Sequence, residues 1–277
     1  MTTSSTRRTL LRGTAAGAAL AAGTLTNTAA ALSVHDGPPA PPRLGGRPAE
    51  AGGPGGRGRK RTGPRIGVLL YDGYSLLDPT GPAEVLSRLP GAEVTMVAER
   101  RGPVRTDTGD VRVMAERSLA ETDRLDVLVV PGGGNRGTVG AINNPVLLEW
   151  IRRTHRRTRW TTSVCTGSLV LAAAGLLKGR RATTYWASAP YLESAFGVTY
   201  VAERYVRSGR IITAAGVSAG LDMSLYLASL ISGEETAMAL QLAMEYDPQP
   251  PFESGNAAEA EPWLKERALR LVEESGT

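Results

Sequence analysis

The single cysteine of the chain, Cys165, stands inside WTTSVCTGSLVLAAAGLL, where a β-branched run gives way to an Ala- and Leu-rich one. A thiol at the carboxyl end of a strand faces the place where open α/β sheets bind their ligands. Thr166, Gly167 and Ser168 follow it. A sharp strand-to-helix turn requires small residues, because the chain passes close to itself there and holds the nucleophile in a strained conformation. The unpaired N–H groups and positive end of the next helix are expected to favour thiolate over thiol, and the thiolate is the reactive form. The competing reading is a small buried hydrophobe at a sheet–helix junction.

A nucleophile needs partners, and other strand ends supply candidates. YDGYSLLDPTGPAEV offers Asp72, Asp78 and Glu84. Asp72, before Gly73, reads as a turn residue, and Glu84 as a solvated helix residue. Asp78 lies among Leu77, Pro79 and Gly81 in a partly apolar loop, where a carboxyl pKa is expected to rise to a value suited to proton transfer. VVPGGGN ends a strand in Gly132, Gly133 and Gly134, whose amides are candidates to meet an anion or a developing oxyanion. The same run also fits a plain turn, and it lacks the Lys-Ser/Thr ending of a Walker loop. His155, in RRTHRRT, is expected at the surface, complementing a helix dipole, so no Cys–His dyad is expected. With only His35 and His155 beside one cysteine, a His/Cys metal site is not expected either. The chemistry on offer is cysteine plus carboxylate, with no metal or organic cofactor.

The elements that must position these groups begin at Arg65. RIGVLLY and LDVLVVPGGG are continuous apolar runs, as in strands buried on both faces. AEVTMVAE, VRVMAERSL, RWTTSV and RATTYW are further predicted strands. Helices are predicted in GPAEVLSRLP, in NPVLLEWIRRTHRRT with Pro145 in its first turn, in TGSLVLAAAGLL, near residues 187–195, in SAGLDMSLYLASLIS and in EETAMALQLAMEY. VTYVAERYVRSGRIITAAG reads as a hairpin turning at Ser208-Gly209. Strands separated by helices predict an α/β fold with a mainly parallel sheet sandwiched by helices. After the proline-rich EYDPQPPFESGN, Leu264, Ala268, Leu271 and Val272 mark one more helix, in a 257–277 extension.

The first 64 residues are of another kind. Residues 1–31 carry Arg7 and Arg8 directly before TLL, then a mildly apolar Ala/Gly-rich run closing on small residues near Ala29 to Ala31. This pattern resembles a twin-arginine export signal and predicts an extracytoplasmic protein, cytoplasmic if the signal is not used. Thr14, Thr24, Thr26 and Asn27 make the run a poor stable membrane span. Residues 32–64 are Pro- and Gly-rich and read as a linker without a core. Residues 1–64 hold 9 basic and 2 acidic residues; the remainder holds 23 basic and 25 acidic. The basic balance therefore belongs to the front, and the 65–256 domain lacks the basic excess that a nucleic-acid surface would show.

Taken together, LLYDGYSLLDPTGPAEVL, DVLVVPGGG, SVCTGSLVLAAAGLLKGRRATTYW, AAGVSAGLDMSLYL and EYDPQPPF resemble the ThiJ/PfpI superfamily over roughly residues 65–256. Within it they are most similar to isonitrile hydratases and to the ligand-sensing domains of AraC-type regulators. The resemblance implies a flavodoxin-like, class I glutamine amidotransferase-like fold with a nucleophile elbow, and a homodimer. It implies a catalytic group of Cys165, Thr166 and Asp78 that hydrates a small isonitrile to an N-substituted formamide. It places Gly133 and Gly134 at the oxyanion, and Tyr185 at a substrate-binding position where the subgroup usually has histidine. The alternative it implies is a non-catalytic small-molecule or redox sensor. The regulators carry a C-terminal DNA-binding module, for which one terminal helix is too little.

Overall fold

Aliphatic and β-branched residues fill the central strands because helices cover both faces of the sheet. The computed structural model describes residues 63–122 and 124–276; the expected export signal and all but the last two residues of the expected linker lie outside them. In chain order come β1 (Arg65–Leu69), α1 (Leu77–Leu86), β2 (Glu93–Ala98), β3 (Gly102–Arg105), β4 (Arg112–Ala115), β5 (Arg117–Ser118), β6 (Val127–Val130), α2 (Asn135–Ile142) and α3 (Pro145–Arg157). They are followed by β7 (Trp160–Val164), α4 (Gly167–Ala173), β8 (Arg181–Ala182), α5 (Ala189–Phe196), β9 (Thr199–Tyr200), β10 (Tyr205–Ser208), β11 (Ile211–Ala214), α6 (Ala219–Ser232), α7 (Glu234–Ala243) and α8 (Pro262–Ser275).

Among the described residues seven strands form the main sheet in the order β10-β11-β7-β6-β1-β2-β5. All neighbours are parallel except β10 and β11, a hairpin that turns between Ser208 and Ile211 with Gly209 at φ 66°. The chain runs from β1 outward through β2 on one side and from β6 outward through β7 on the other, so the winding reverses between β1 and β6 and opens a crevice at the carboxyl ends. Leu147, Ile151, Val170, Leu171 and Leu192 bring α3, α4 and α5 onto one face. Leu86, Met223, Leu227 and Leu240 bring α1, α6 and α7 onto the other.

Three expectations change. VRVMAERSL does not form one strand of the main sheet. Its first half, β4, pairs antiparallel with β3 outside the sheet, and only Arg117–Ser118 joins β2. The partly exposed alternation of β4 suits a hairpin rather than a strand covered on both sides. RATTYW is a strand only at Arg181–Ala182, paired with β9; Thr183 and Thr184 bond elsewhere, to the Thr213 hydroxyl and the Cys165 carbonyl. Helix α2, in NRGTVGAI, was not expected from its glycines and β-branched residues. Helix α8 forms as expected, with none of its side chains buried. No described helix is long and apolar enough to cross a membrane.

Candidate active site

Cys165 occupies the turn between β7 and α4 with φ 57°, in the left-handed region that a non-glycine residue enters at a cost of about 1–3 kcal/mol. The surroundings over-determine that conformation. The Cys165 N–H donates to the carbonyls of Ala215 at 2.7 Å and Ala214 at 3.1 Å. Its own carbonyl accepts from the hydroxyls of Ser168 and Thr184, each at 3.2 Å. Gly167 presses so closely on β6 that a Cβ there would lie 2.3 Å from the Val130 carbonyl oxygen. The small residues after the cysteine are thus what lets the elbow close, as expected.

Asp78 reaches the same point from the element after β1, two strands away across β6. It is not in a loop, as the sequence suggested, but in the first turn of α1, where Pro79 needs no N–H partner. The loop after β1 is fastened to the loop after β6: Ser75 N–H donates to the Gly132 carbonyl at 3.0 Å, and Gly134 N–H to the Gly73 carbonyl at 3.1 Å. Asp78 is fully buried, and its Oδ2 accepts from Gly132 N–H at 2.8 Å. Oδ1 meets no donor among the described residues. Burial pushes the carboxyl up to about 7; the Gly132 N–H pulls it down and Asp107 pushes it up. A Cβ on Gly132 would sit 2.6 Å from Thr166 N, 2.7 Å from Thr166 Oγ1 and 2.8 Å from Asp78 Oδ2. Carboxyl, elbow amide and elbow hydroxyl therefore crowd the Gly132 backbone together and leave no room for a side chain there.

The thiol differs from expectation. Burial pushes Cys165 well above the usual thiol range and the Asp78 charge pushes it further, while the Thr166 and Val217 N–H groups and the Thr166 hydroxyl pull it back. Helix α4 has only seven residues, and its first N–H groups do not outweigh 6 % exposure beside a carboxylate. The resting group is a thiol. Above about pH 7 the carboxyl of Asp78 is ionised while the thiol keeps its proton, so the pair carries one proton.

The two candidate oxyanion amides are already engaged. Gly133 N–H donates to Thr166 Oγ1 at 2.9 Å and Gly134 N–H to the Gly73 carbonyl. The amides that hold down the pKa of the Cys165 thiol are instead those of Thr166 and Val217. Tyr185, half-buried, lies within electrostatic reach of Cys165, which with burial raises its phenol. Two residues went unremarked in the sequence. Buried Tyr71 donates to the Pro131 carbonyl at 3.0 Å, and its phenol is raised by burial and then by Asp78 and Cys165. It closes the first apolar run at the carboxyl edge of the sheet, a position legible in the sequence. Thr138, on α2, lies 2.8 Å from Thr166 Oγ1 and had no such signal. Asp72 and Glu84 are exposed and stand apart from this cluster. His155 is not a charged dipole partner: its Nδ1 lies 2.9 Å from Thr161 Oγ1, and burial, with Arg210 and Arg180, lowers its pKa to about 4.

The DJ-1/PfpI family profile matches residues 64–230. The chain belongs to the DJ-1/PfpI family. This DJ-1/PfpI chain is 42 % identical over 192 residues to the isonitrile hydratase of Pseudomonas putida, covering 69 % of this chain and 82 % of that protein. It is 34 % identical over 138 residues to the HTH-type transcriptional regulator CdhR of Pseudomonas aeruginosa, covering 50 % of this chain and 40 % of the regulator. Among solved structures, a ThiJ/PfpI family protein from Pseudomonas syringae superimposes with a TM-score of 0.72 at 36 % identity, covering 76 % of this chain and 87 % of that one. Fold and family thus agree with the resemblance read from the sequence motifs.

Proposed function

We propose that the protein hydrates a small isonitrile, R–N≡C, to the formamide R–NH–CHO. The observation that carries this reading is a fully buried carboxyl with a pKa near neutrality and one oxygen without a donor, beside a thiol held at a strained elbow. Such a carboxyl can take a proton and return it within one cycle. Asp78 accepts the Cys165 proton as the sulfur adds to the terminal isonitrile carbon, and the same proton passes to that carbon, leaving the thioimidate R–N=CH–S. Asp78 then takes a proton from water as its oxygen attacks the carbon, and that proton goes to nitrogen. Collapse of the tetrahedral adduct breaks the C–S bond and returns the hydroxyl proton to sulfur. One water is consumed for each formamide released. Thr166 and the amides of Thr166 and Val217 stabilise charge on the sulfur.

Access supports the same substrate class. Cys165 and Thr166 are 6 % and 7 % exposed, so a thin linear end group is suited to reach the sulfur while its substituent remains outside. The test is formamide production from a simple alkyl isonitrile by wild type, Cys165→Ala and Asp78→Asn. Turnover by wild type alone supports the reading, and no formamide above the two variants would remove it.

The similarity to a transcriptional regulator supports a second reading, a non-catalytic ligand-binding domain. Peroxide sensing is disfavoured by a buried thiol of raised pKa, since oxidation follows thiolate character and exposure. Export through the paired arginines and a homodimer complete the proposal. Cell fractionation of wild type against Arg7→Lys/Arg8→Lys tests the first, and light scattering the second.

A further inference from the structure

Six exposed arginines gather at the amino edge of the main sheet, the edge opposite the Cys165 crevice. Arg156 and Arg157 end α3, Arg159 leads into β7, Arg180 precedes β8, and Arg207 and Arg210 flank the β10–β11 turn. Specific contacts draw them together. Arg210 Nη1 donates to the Thr158 carbonyl at 2.8 Å, and Thr161 N–H donates to the Arg210 carbonyl at 3.0 Å. Arg207 Nε donates to the Gly209 carbonyl at 3.0 Å, while its guanidinium lies 4.9 Å from the centre of the Trp160 ring. A Cβ on Gly209 would lie 4.0 Å from Arg180 Nη1. None of the six forms an ion pair among the described residues. Asp126 is bonded into the same edge: its carbonyl accepts from Arg159 N–H at 2.8 Å and its carboxylate from Arg65 N–H at 2.9 Å. Glu149 and Glu203 are already matched by Arg152 and Arg181.

The α3 dipole accounts for Arg156 and Arg157, whose charges complement a helix C-terminus. It does not account for the other four, which belong to strands and turns. Like charges held this close repel, and with few carboxylates to answer them the edge presents a positive field to solvent. Residues 65–277 hold 23 basic and 25 acidic residues, so the edge is a local excess on a nearly balanced domain. The chain also enters the fold here: Arg65 is bonded to Asp126, and the basic run Arg57, Arg59, Lys60 and Arg61 ends four residues before it. Clusters of about four to eight basic residues are attracted to anionic lipid headgroups. A single-stranded nucleic acid would also stack its bases on open aromatic rings, but Trp160 at this edge is half-buried and covered by Arg207. We infer that the amino edge of the sheet, continued by the basic run before it, docks the protein on an anionic membrane surface and leaves the Cys165 crevice open on the opposite side.

The test is co-sedimentation of the full chain with vesicles of mixed phosphatidylcholine and phosphatidylglycerol, set against vesicles of phosphatidylcholine alone. Arg156→Gln/Arg157→Gln/Arg159→Gln removes three charges whose side chains make no hydrogen bond among the described residues, and the matching lysine triple keeps the charge. Arg100→Gln/Arg105→Gln/Arg112→Gln removes the same charge around the β3–β4 hairpin. Each arginine at such a surface is worth about fivefold in affinity, so the edge triple is expected to bind the mixed vesicles about 100-fold more weakly than wild type. The lysine and hairpin triples are expected to bind as wild type does. Wild-type binding should fall steeply as salt rises from about 0.05 to 0.5 M. Thermal melting checks the fold of each variant; should the edge triple melt early, Arg180→Gln takes its place with an expected loss of about fivefold. Wild type that ignores phosphatidylglycerol would overturn the proposal, as would an edge triple that binds like wild type or a hairpin triple that loses as much. Tighter binding to a DNA duplex of random sequence than to the mixed vesicles would overturn it as well. None of these outcomes depends on the hydratase reading.

Discussion

Asp78→Asn is expected to stabilise the protein by an amount that depends on pH. Asparagine keeps an acceptor for the Gly132 N–H and removes a carboxyl that burial holds at about 7 instead of 3.8. The folded state retains this proton longer than the unfolded chain does. Wild-type stability is therefore unaffected by Asp78 below about pH 4, falls as pH rises toward 7, and levels off above. With about 1.36 kcal/mol for each pH unit between the two values, the fall is of order 4 kcal/mol. His155 works in the opposite sense over part of the same range, but it is present in both proteins and cancels in their difference. Urea unfolding of wild type and Asp78→Asn at pH 4.5, 6 and 8 measures that difference directly. It should grow from pH 4.5 to 8 in favour of asparagine. A difference independent of pH would refute a carboxyl held protonated by burial.

Other expectations follow from single contacts. Gly132→Ala places a methyl group within 2.8 Å of Asp78 Oδ2 and both Thr166 atoms, so the pair must separate; steady-state assays should show at least about a 100-fold loss of turnover, the scale of a 1 Å misplacement. His155→Gln should flatten the loss of stability that wild type suffers as pH falls from about 6.5 to 4, where the unfolded imidazole protonates before the folded one; thermal melts across that range would show it. Tyr185→Ala, which removes the aromatic wall near Cys165, should change KM among isonitriles of different bulk more than it changes kcat for the smallest one.

The elbow was legible because its demands are local: a β-branched strand, a cysteine and three small residues describe the turn, and the φ of Cys165 follows from them. The parallel sheet was legible from its doubly buried apolar runs. Other features depend on contacts distant in sequence. Helix α2 has little helical propensity of its own; it is placed by the approach of Gly137 to Gly73, where a Cβ would lie 2.3 Å from the Gly73 carbonyl oxygen. Thr138 was hidden for that reason. The helix after Cys165 suggested a thiolate, yet the burial and neighbouring carboxylate that reverse the shift come from α1, more than eighty residues earlier in the chain. The engagement of the Gly133 and Gly134 amides likewise depends on Thr166 and Gly73, which only the folded chain brings to them.

The measurement that bears most directly on the proposed chemistry is the pH profile of kcat/KM for formamide production. Asp78 must be ionised to take the Cys165 proton, so the wild-type rate should rise through about pH 7 and then hold until the raised thiol titrates. In Asp78→Asn that rise should vanish and the rate fall by about 100-fold or more. A wild-type profile flat between pH 5 and 9, or the same rise retained in Asp78→Asn, would contradict the assignment of the carboxyl.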